Sequence, residues 1–199
     1  MATEKLETEI RQDQITQAAL GLVAAKGVAE LSIAGVARRV GLVPSAIYRH
    51  FKSKDEVLDA TILHIRQRLM ENVRAARTST SDPVECLHRL LKLHIDLVRE
   101  NRGILHIVFS DSVYSGRPRR KRRMYQIIDG YLEQVGDLIT QGQVEGRICR
   151  NLDSRTLSVM FLGLIQPGAI LWHMSDGEFD VSKHAENGWE VFHRAIACA

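Results

Sequence analysis

Between Leu31 and Lys54 the chain reads LSIAGVARRVGLVPSAIYRHFKSK, with five Lys or Arg residues and no acidic one, and Glu30 and Asp55 stand on either side. Cations gathered this locally suit one kind of chemistry, the neutralisation of a polyanion, and the phosphates of nucleic acid are the expected partner. Within the stretch Ile47 and Phe51 are four residues apart and share one helical face. Ser45, Tyr48 and Arg49, spaced by three and four, share another. One face is thus free to pack while the other presents a hydroxyl, a phenol and a guanidinium outward.

Short helices and a tight turn must hold these groups. Ser32 suits an N-cap, with Leu31 before it able to pack on Val36, so a helix is expected from about Ile33. Gly41 can adopt the left-handed conformation that closes that helix, and Leu42 and Val43 make the turn. Pro44 fits the first position of a second helix. Ser53, followed three residues later by Glu56, is a capping box that starts a third helix at Lys54, whose N-terminus is suited to a phosphate. Upstream, Ile15, Ala19, Leu22 and Val23 recur at helical spacing from about Glu9 to a stop at Gly27, and this helix can brace the pair. Helix, glycine turn and short helix form a helix-turn-helix, whose second helix enters the major groove.

Ser32 to Val36-Ala37, Gly41, Ile47-Tyr48-Arg49-His50-Phe51 and Lys52-Ser53-Lys54-Asp55-Glu56-Val57-Leu58 resemble the N-terminal signature of the TetR family of transcriptional regulators. The resemblance implies an all-α homodimer with a three-helix DNA-binding head, here residues 1–53, and a larger domain, residues 54–199, that binds a small molecule and dimerises. Carried over by position, Ser45, Tyr48, Arg49 and His50 would face the operator, and Ser32 and Lys54 would lie on phosphates. Val43 and Pro44 depart from the small polar or lysine residues that often begin the family's recognition helix.

Composition agrees with a soluble globular protein: 199 residues, 45% hydrophobic, 26% charged. A net charge of +3 means that any nucleic-acid surface must arise by local clustering. No uninterrupted apolar run approaches membrane-spanning length and MATEKLETEI lacks a signal-peptide core, so a cytoplasmic protein with no membrane partner is expected. Cys86, Cys149 and Cys198 are far apart and read as reduced, structural thiols, although Arg147 and Arg150 near Cys149 would favour a thiolate.

The helix from Lys54 continues through Leu58, Ile62, Ile65, Leu69 and Val73. Asp82-Pro83 starts a fifth, striped by Leu87, Leu90, Leu91, His94, Leu97 and Val98, and a short sixth covers Ile104 to Phe109. Tyr114-Ser115-Gly116 reads as a loop. Then comes RPRRKRR, six basic residues in seven, opening a long helix through Val135 and Ile139. The run is read as a solvated, mobile helix start, and because clustered cations oppose the macrodipole there, a loop or an anionic partner is expected rather than a stable helix end. A second nucleic-acid element is the alternative. Asp153 caps a further helix through Trp172 that Pro167-Gly168 should kink or break near Leu164, and a last helix carries Ala185, Trp189, Phe192 and Ile196. The apolar stripes of these final helices either pair across a two-fold axis or are used up within one subunit.

Catalytic and metal patterns are missing from the sequence: no HExxH, GxSxG, phosphate-cradling glycine loop or paired carboxylates, so neither an enzyme nor a bound cofactor or metal is expected. A ligand pocket requires apolar walls with a few polar groups. His94, His106, Tyr125, Gln166 and His173, set in apolar helical stretches, are the candidates, although each is also a residue that a core can satisfy internally. The expected mechanism is a repressor on a palindromic operator, released by a small molecule. An activator, a ligand-independent regulator and an architectural DNA-binding protein using both basic regions are the other readings.

Overall fold

The computed structural model describes residues 2–197, with side chains from Leu6 onward and that of Ser112 left aside. Cys198 lies outside the described residues. Among these the chain is all helical: α1 (Ala2–Lys26), α2 (Ile33–Val40), α3 (Pro44–Tyr48), α4 (Lys54–Ser79), α5 (Pro83–Glu100), α6 (Gly103–Val108), α7 (Asp111–Tyr114), α8 (Pro118–Val144), α9 (Ser154–Gly163), α10 (Gln166–Met174) and α11 (Val181–Ile196). The periodicity located most of these helices. It missed α7, a single turn where a loop was expected, and it started α1 seven residues late.

Two compact units emerge, and neither is one continuous run of chain: Met1–Gln67 joins Asn101–Met124, and Arg68–Glu100 joins Tyr125–Ala199. Helices α6 and α7 and the first turns of α8 belong with the N-terminal head, while α4 and α8 each contribute to both units.

In the first unit α1 packs on both α2 and α6, and α2 packs on α3. Ile15, Ala19 and Val23 of α1, Val36 and Ala37 of α2, Ile47 of α3 and Val57 and Ile62 of α4 are fully or almost fully buried. One polar network braces α1 against α4. His64, buried, shares a 2.7 Å hydrogen bond with Gln17 and lies 2.9 Å from the Asp13 carboxylate. The approach of α6 to α1 is closer still, because Gly103 has no side chain. A Cβ there would stand 2.3 Å from the carbonyl oxygen of Leu20.

In the second unit α5 packs on α11 and α10 packs between α9 and α11. Leu87, Leu90, Leu91 and Val98 of α5 and Val135, Leu138 and Ile139 of α8 fill the interior. Side-chain caps start two helices where expected, Asp82 accepting from Val84 N–H at 2.8 Å and Asp153 from Thr156 N–H at 2.7 Å, and a third that was not foreseen, Asp180 accepting from Lys183 N–H at 2.9 Å. Ser154–Met174 is, by length and composition, apolar enough to cross a membrane. It is nevertheless broken: α9 ends at Gly163 and α10 restarts at Gln166 with Pro167 in its first turn, as the proline leads one to expect. The stretch is also two-faced. Leu157, Phe161, Ile165, Ala169 and Trp172 are buried, whereas Val159, Met160, Ile170, Leu171 and Met174 are exposed, together with Val191 of α11.

Gly103 supplies a direct test of the α1–α6 contact. Gly103→Ala should lower unfolding stability by about 1 to 3 kcal/mol, because backbone and not a flexible side chain stands in the way. Gly130→Ala, where an added Cβ meets nothing within 4 Å, should be neutral or stabilising by up to about 1 kcal/mol. Urea denaturation of the two variants measures the contrast, and equal midpoints would show that α6 does not press on α1 in solution.

Candidate nucleic-acid interface

The α2–turn–α3 unit is set by its caps. Ser32 Oγ accepts from Gly35 N–H at 3.2 Å, and Leu31 and Val36 beside it are buried. Gly41 takes φ 77°, and its N–H reaches back to Ala37 and Arg38 while Leu42 N–H donates to Ala37 O at 2.8 Å. That pattern closes α2 and reverses the chain within a few residues. Val43 occupies the N-cap of α3 without a side-chain hydrogen bond, so Pro44 alone preorganises the start. The helix is short: it closes at Tyr48, and Arg49 caps it in right-handed geometry. His50 and Phe51 N–H groups then both donate to Ile47 O, at 2.9 and 3.0 Å.

Ile47 and Phe51 point into the core, while Ser45, Tyr48 and Arg49 are all exposed, Tyr48 by 55%. His50 is half-buried. Val43, 63% exposed, adds an apolar side chain to the same end of α3. Ser32 and Lys54, the two residues assigned to phosphates, are exposed at the N-termini of α2 and α4. The capping box forms with one change. Ser53 Oγ accepts from Glu56 N–H at 3.2 Å, but the Glu56 carboxylate returns to the N–H of Lys52, at 2.6 Å, and not to that of Ser53.

The basic run opening α8 is only partly the solvated start expected of it. Arg120 is buried, its side chain 5% exposed. Its Nε donates to Asp59 Oδ1 at 2.7 Å and its Nη2 to Asp55 Oδ1 at 3.2 Å. Arg117 donates to the other Asp55 oxygen at 2.8 Å. The anionic partner that a cationic helix start calls for is therefore inside the chain, on the first two turns of α4. The hydrogen bond from Arg120 does most to hold the Asp55 carboxyl below its ordinary value, with the Arg117 charge adding to it and partial burial opposing both. Sequence reasoning missed the pairing because Asp55 and Asp59 lie about sixty residues upstream. Their i, i+4 spacing beside an acid-free basic stretch was the available signal.

The five candidate ligand residues do not converge. His94 of α5 and Tyr131 of α8 share a 2.9 Å hydrogen bond, with rings edge to face 5.2 Å apart. Burial lowers the His94 pKa to about 4 and pushes Tyr131 up, so both are neutral at pH 7. His106 lies on α6 and thus in the head's unit, Tyr125 is 64% exposed, and Gln166 and His173 sit, half-buried, at opposite ends of α10. Tyr131, which was not among the candidates, is the polar partner of His94. Of the thiols, Cys86 is buried, which raises its pKa, and Cys149 is half-buried.

Comparison with known proteins agrees with this geometry. Residues 15–61 match the model for bacterial regulatory proteins of the tetR family, and residues 64–195 match that for the YsiA-like protein C-terminal region. The nucleoid occlusion factor SlmA of Vibrio vulnificus is 22% identical over 187 residues, which cover 94% of this chain and 95% of the relative. The fatty acid metabolism regulator protein of Bacillus subtilis is 24% identical over 168 residues, 84% of this chain and 86% of the relative. The transcriptional regulator FadR from Bacillus subtilis, solved in complex with stearoyl-CoA, shares the fold with a TM-score of 0.78 at 22% identity, over 92% of this chain and 98% of that one.

The Arg120 clamp makes a stability prediction. Arg120→Ala leaves two carboxylates facing each other without their buried cation, and should cost about 1 to 3 kcal/mol, the upper range being discounted because both aspartates are partly exposed. Asp55 is depressed in the folded state, so its contribution is complete above its unfolded value near 3.8 and is lost as pH falls through the lower folded value. Urea melts across that acid range should show the variant losing less stability than the wild type, and parallel curves would deny Arg120 this role.

Proposed function

The chain belongs to the tetR family of bacterial regulatory proteins, and on that premise we propose a ligand-responsive transcriptional repressor that is not an enzyme and works in the cytoplasm, where its operator is. The observation that carries this reading is the outward presentation of Ser45, Tyr48 and Arg49 on a short helix whose opposite side, Ile47 and Phe51, is buried. Buried anchors hold the helix rigidly, so the exposed face can enter a major groove without ordering cost. Arg49 suits a guanine edge or a phosphate, Tyr48 and Lys54 suit phosphates flanking it, and Ser32 adds a hydroxyl at the α2 start. The exposed apolar Val43 suits a thymine methyl, and His50 lies at the margin of this face.

A homodimer supplies the second head. The exposed Met160, Leu171, Met174 and Val191 form an apolar surface that two copies can cover as a four-helix bundle about a two-fold axis. A two-fold dimer reads a palindrome with half-sites about one helical turn of DNA, or somewhat more, apart. The effector enters the largely apolar second unit, where His94 and Tyr131 offer a neutral polar pair. The stearoyl-CoA held by the Bacillus subtilis FadR makes a long-chain acyl thioester the first effector to test. Repressor action requires operator and effector to weaken each other equally, typically by about 1 to 3 kcal/mol.

Selection of an operator from random duplexes, followed by anisotropy titration, tests the reading. Arg49→Ala should weaken specific binding by about 1 to 3 kcal/mol and relax preference at one base position. Tyr48→Phe should weaken binding to all sequences alike by about 1 kcal/mol. If neither variant changes operator affinity, or if neutralising Arg119 to Arg123 removes most of it, the head is not the reader and the architectural reading takes its place.

A further inference from the structure

We propose that Cys149 and Cys198 of one subunit form a reversible disulfide, a covalent modification site that fastens the end of α11 to the turn between α8 and α9. The inference goes beyond the repressor reading and does not depend on it. Every group it uses belongs to the second unit.

Two stretches of backbone are pinned side by side at this turn. Cys149 N–H donates to the Ile196 carbonyl oxygen at 2.9 Å, and Ile148 and Ile196, which flank or make that bond, are both fully buried. Gln143 holds the turn from α8, its amide donating to the carbonyls of Cys149 and Leu152 at 2.9 and 2.7 Å. Ala197 leaves α11 in an extended conformation, and Cys198 follows it in the sequence. Cys198 itself lies outside the described residues, so its reach is set by the covalent chain alone. Two residues advance the Cα position by about 7 Å at most, which keeps Cys198 within that distance of a residue bonded directly to Cys149. A disulfide requires Cα atoms about 4.4 to 6.8 Å apart. The pairing is within reach while α11 and the turn stay where they are.

Access and charge select Cys149 over Cys86. Cys149 is half-buried and open to a small oxidant, whereas Cys86 is buried on α5. Arg150 adjoins Cys149, and its guanidinium donates to the neutral carbonyls of Gln143 and Val144 at 2.9 and 3.1 Å, so its full positive charge stays at the turn. A cation beside a thiol favours the thiolate, which is the reactive form. With a peroxide as oxidant, the Cys149 thiolate attacks one oxygen, the O–O bond breaks, and the departing hydroxide takes up a proton to leave as water. The sulfenic acid so formed is attacked by the Cys198 sulfur, which makes the S–S bond and releases a second water. Two electrons pass from the sulfurs to the peroxide, and a dithiol reductant returns them. The loop closed by the bond contains α9, α10 and α11, and joining its ends restricts the unfolded chain. In a reducing compartment such a bond is a transient response to oxidant and not a permanent staple.

Treating the folded full-length protein with a small excess of hydrogen peroxide, alkylating the remaining thiols and digesting with trypsin in the absence of reductant tests the pairing by mass. Cleavage after Arg147, Arg150 and Arg194 should release residues 148–150 joined to residues 195–199 at the sum of their masses less two hydrogens, and dithiothreitol should part them. The link should form about tenfold faster or more in native protein than in urea-unfolded protein, because the fold raises the effective concentration of one thiol at the other. Peroxide should raise the urea midpoint of the wild type and leave those of Cys149→Ala and Cys198→Ala unchanged. A disulfide between two subunits, oxidation of Cys149 to the sulfinic or sulfonic acid without a link, or equal rates in native and unfolded protein would each overturn the inference. Neither operator nor effector enters the test, so its failure leaves the repressor reading as it stands.

Discussion

A guanidinium withdrawn from water between two carboxylates is costly to place, and the cost falls only if every donor finds an acceptor in good geometry. Arg120 lowers it by engaging Asp59 through Nε and Asp55 through Nη2, while Arg117 takes up the remaining Asp55 oxygen. The arrangement ties the start of α8 to the first turns of α4, the same turns that carry the Ser53–Glu56 cap and Lys54. Only five residues separate Tyr48 from Lys54. The position of the recognition face therefore depends on a helix start that is held electrostatically from the C-terminal half of the chain.

The helix-turn-helix was legible in the sequence because its determinants are local. Ser32, Gly41, Pro44 and Ser53 each act through backbone groups within four or five residues, and each adopts the expected role in the structure. Ile47 against Tyr48 is likewise a matter of helical spacing. The clamp was not legible, since nothing in RPRRKRR specifies which carboxylates meet it, and a local reading predicts solvent around cations at a helix start. For the same reason the packing of α6, which carries His106, was not legible: it follows α5 in the chain, whereas Gly103 brings it against Leu20 of α1.

The last three helices show where periodicity stops being informative. Their apolar residues occur on more than one face, and sequence alone cannot assign one stripe to the subunit's own core and another to a partner. The structure divides them. Phe161, Trp172, Trp189 and Phe192 turn inward, with Phe161 and Phe192 in edge contact at 6.2 Å, while Met160, Leu171, Met174 and Val191 turn outward. Exposed apolar side chains of this kind are costly in water for a lone subunit, which is why the proposed dimer is built on them.

Magnitudes separate the two ion pairs of the clamp. Arg117 and Asp55 are both substantially exposed, 54% and 38%, and a pair of that kind is worth no more than about 1 kcal/mol. Arg120 is different: stripping it of its partners would leave a buried charge uncompensated at several kcal/mol, more than the 1 to 3 kcal/mol typical of coupled sites. The two arginines thus divide the work. Arg120 is the member that holds the start of α8 to the first turns of α4, and Arg117 adds an exposed pair that contributes little to that attachment.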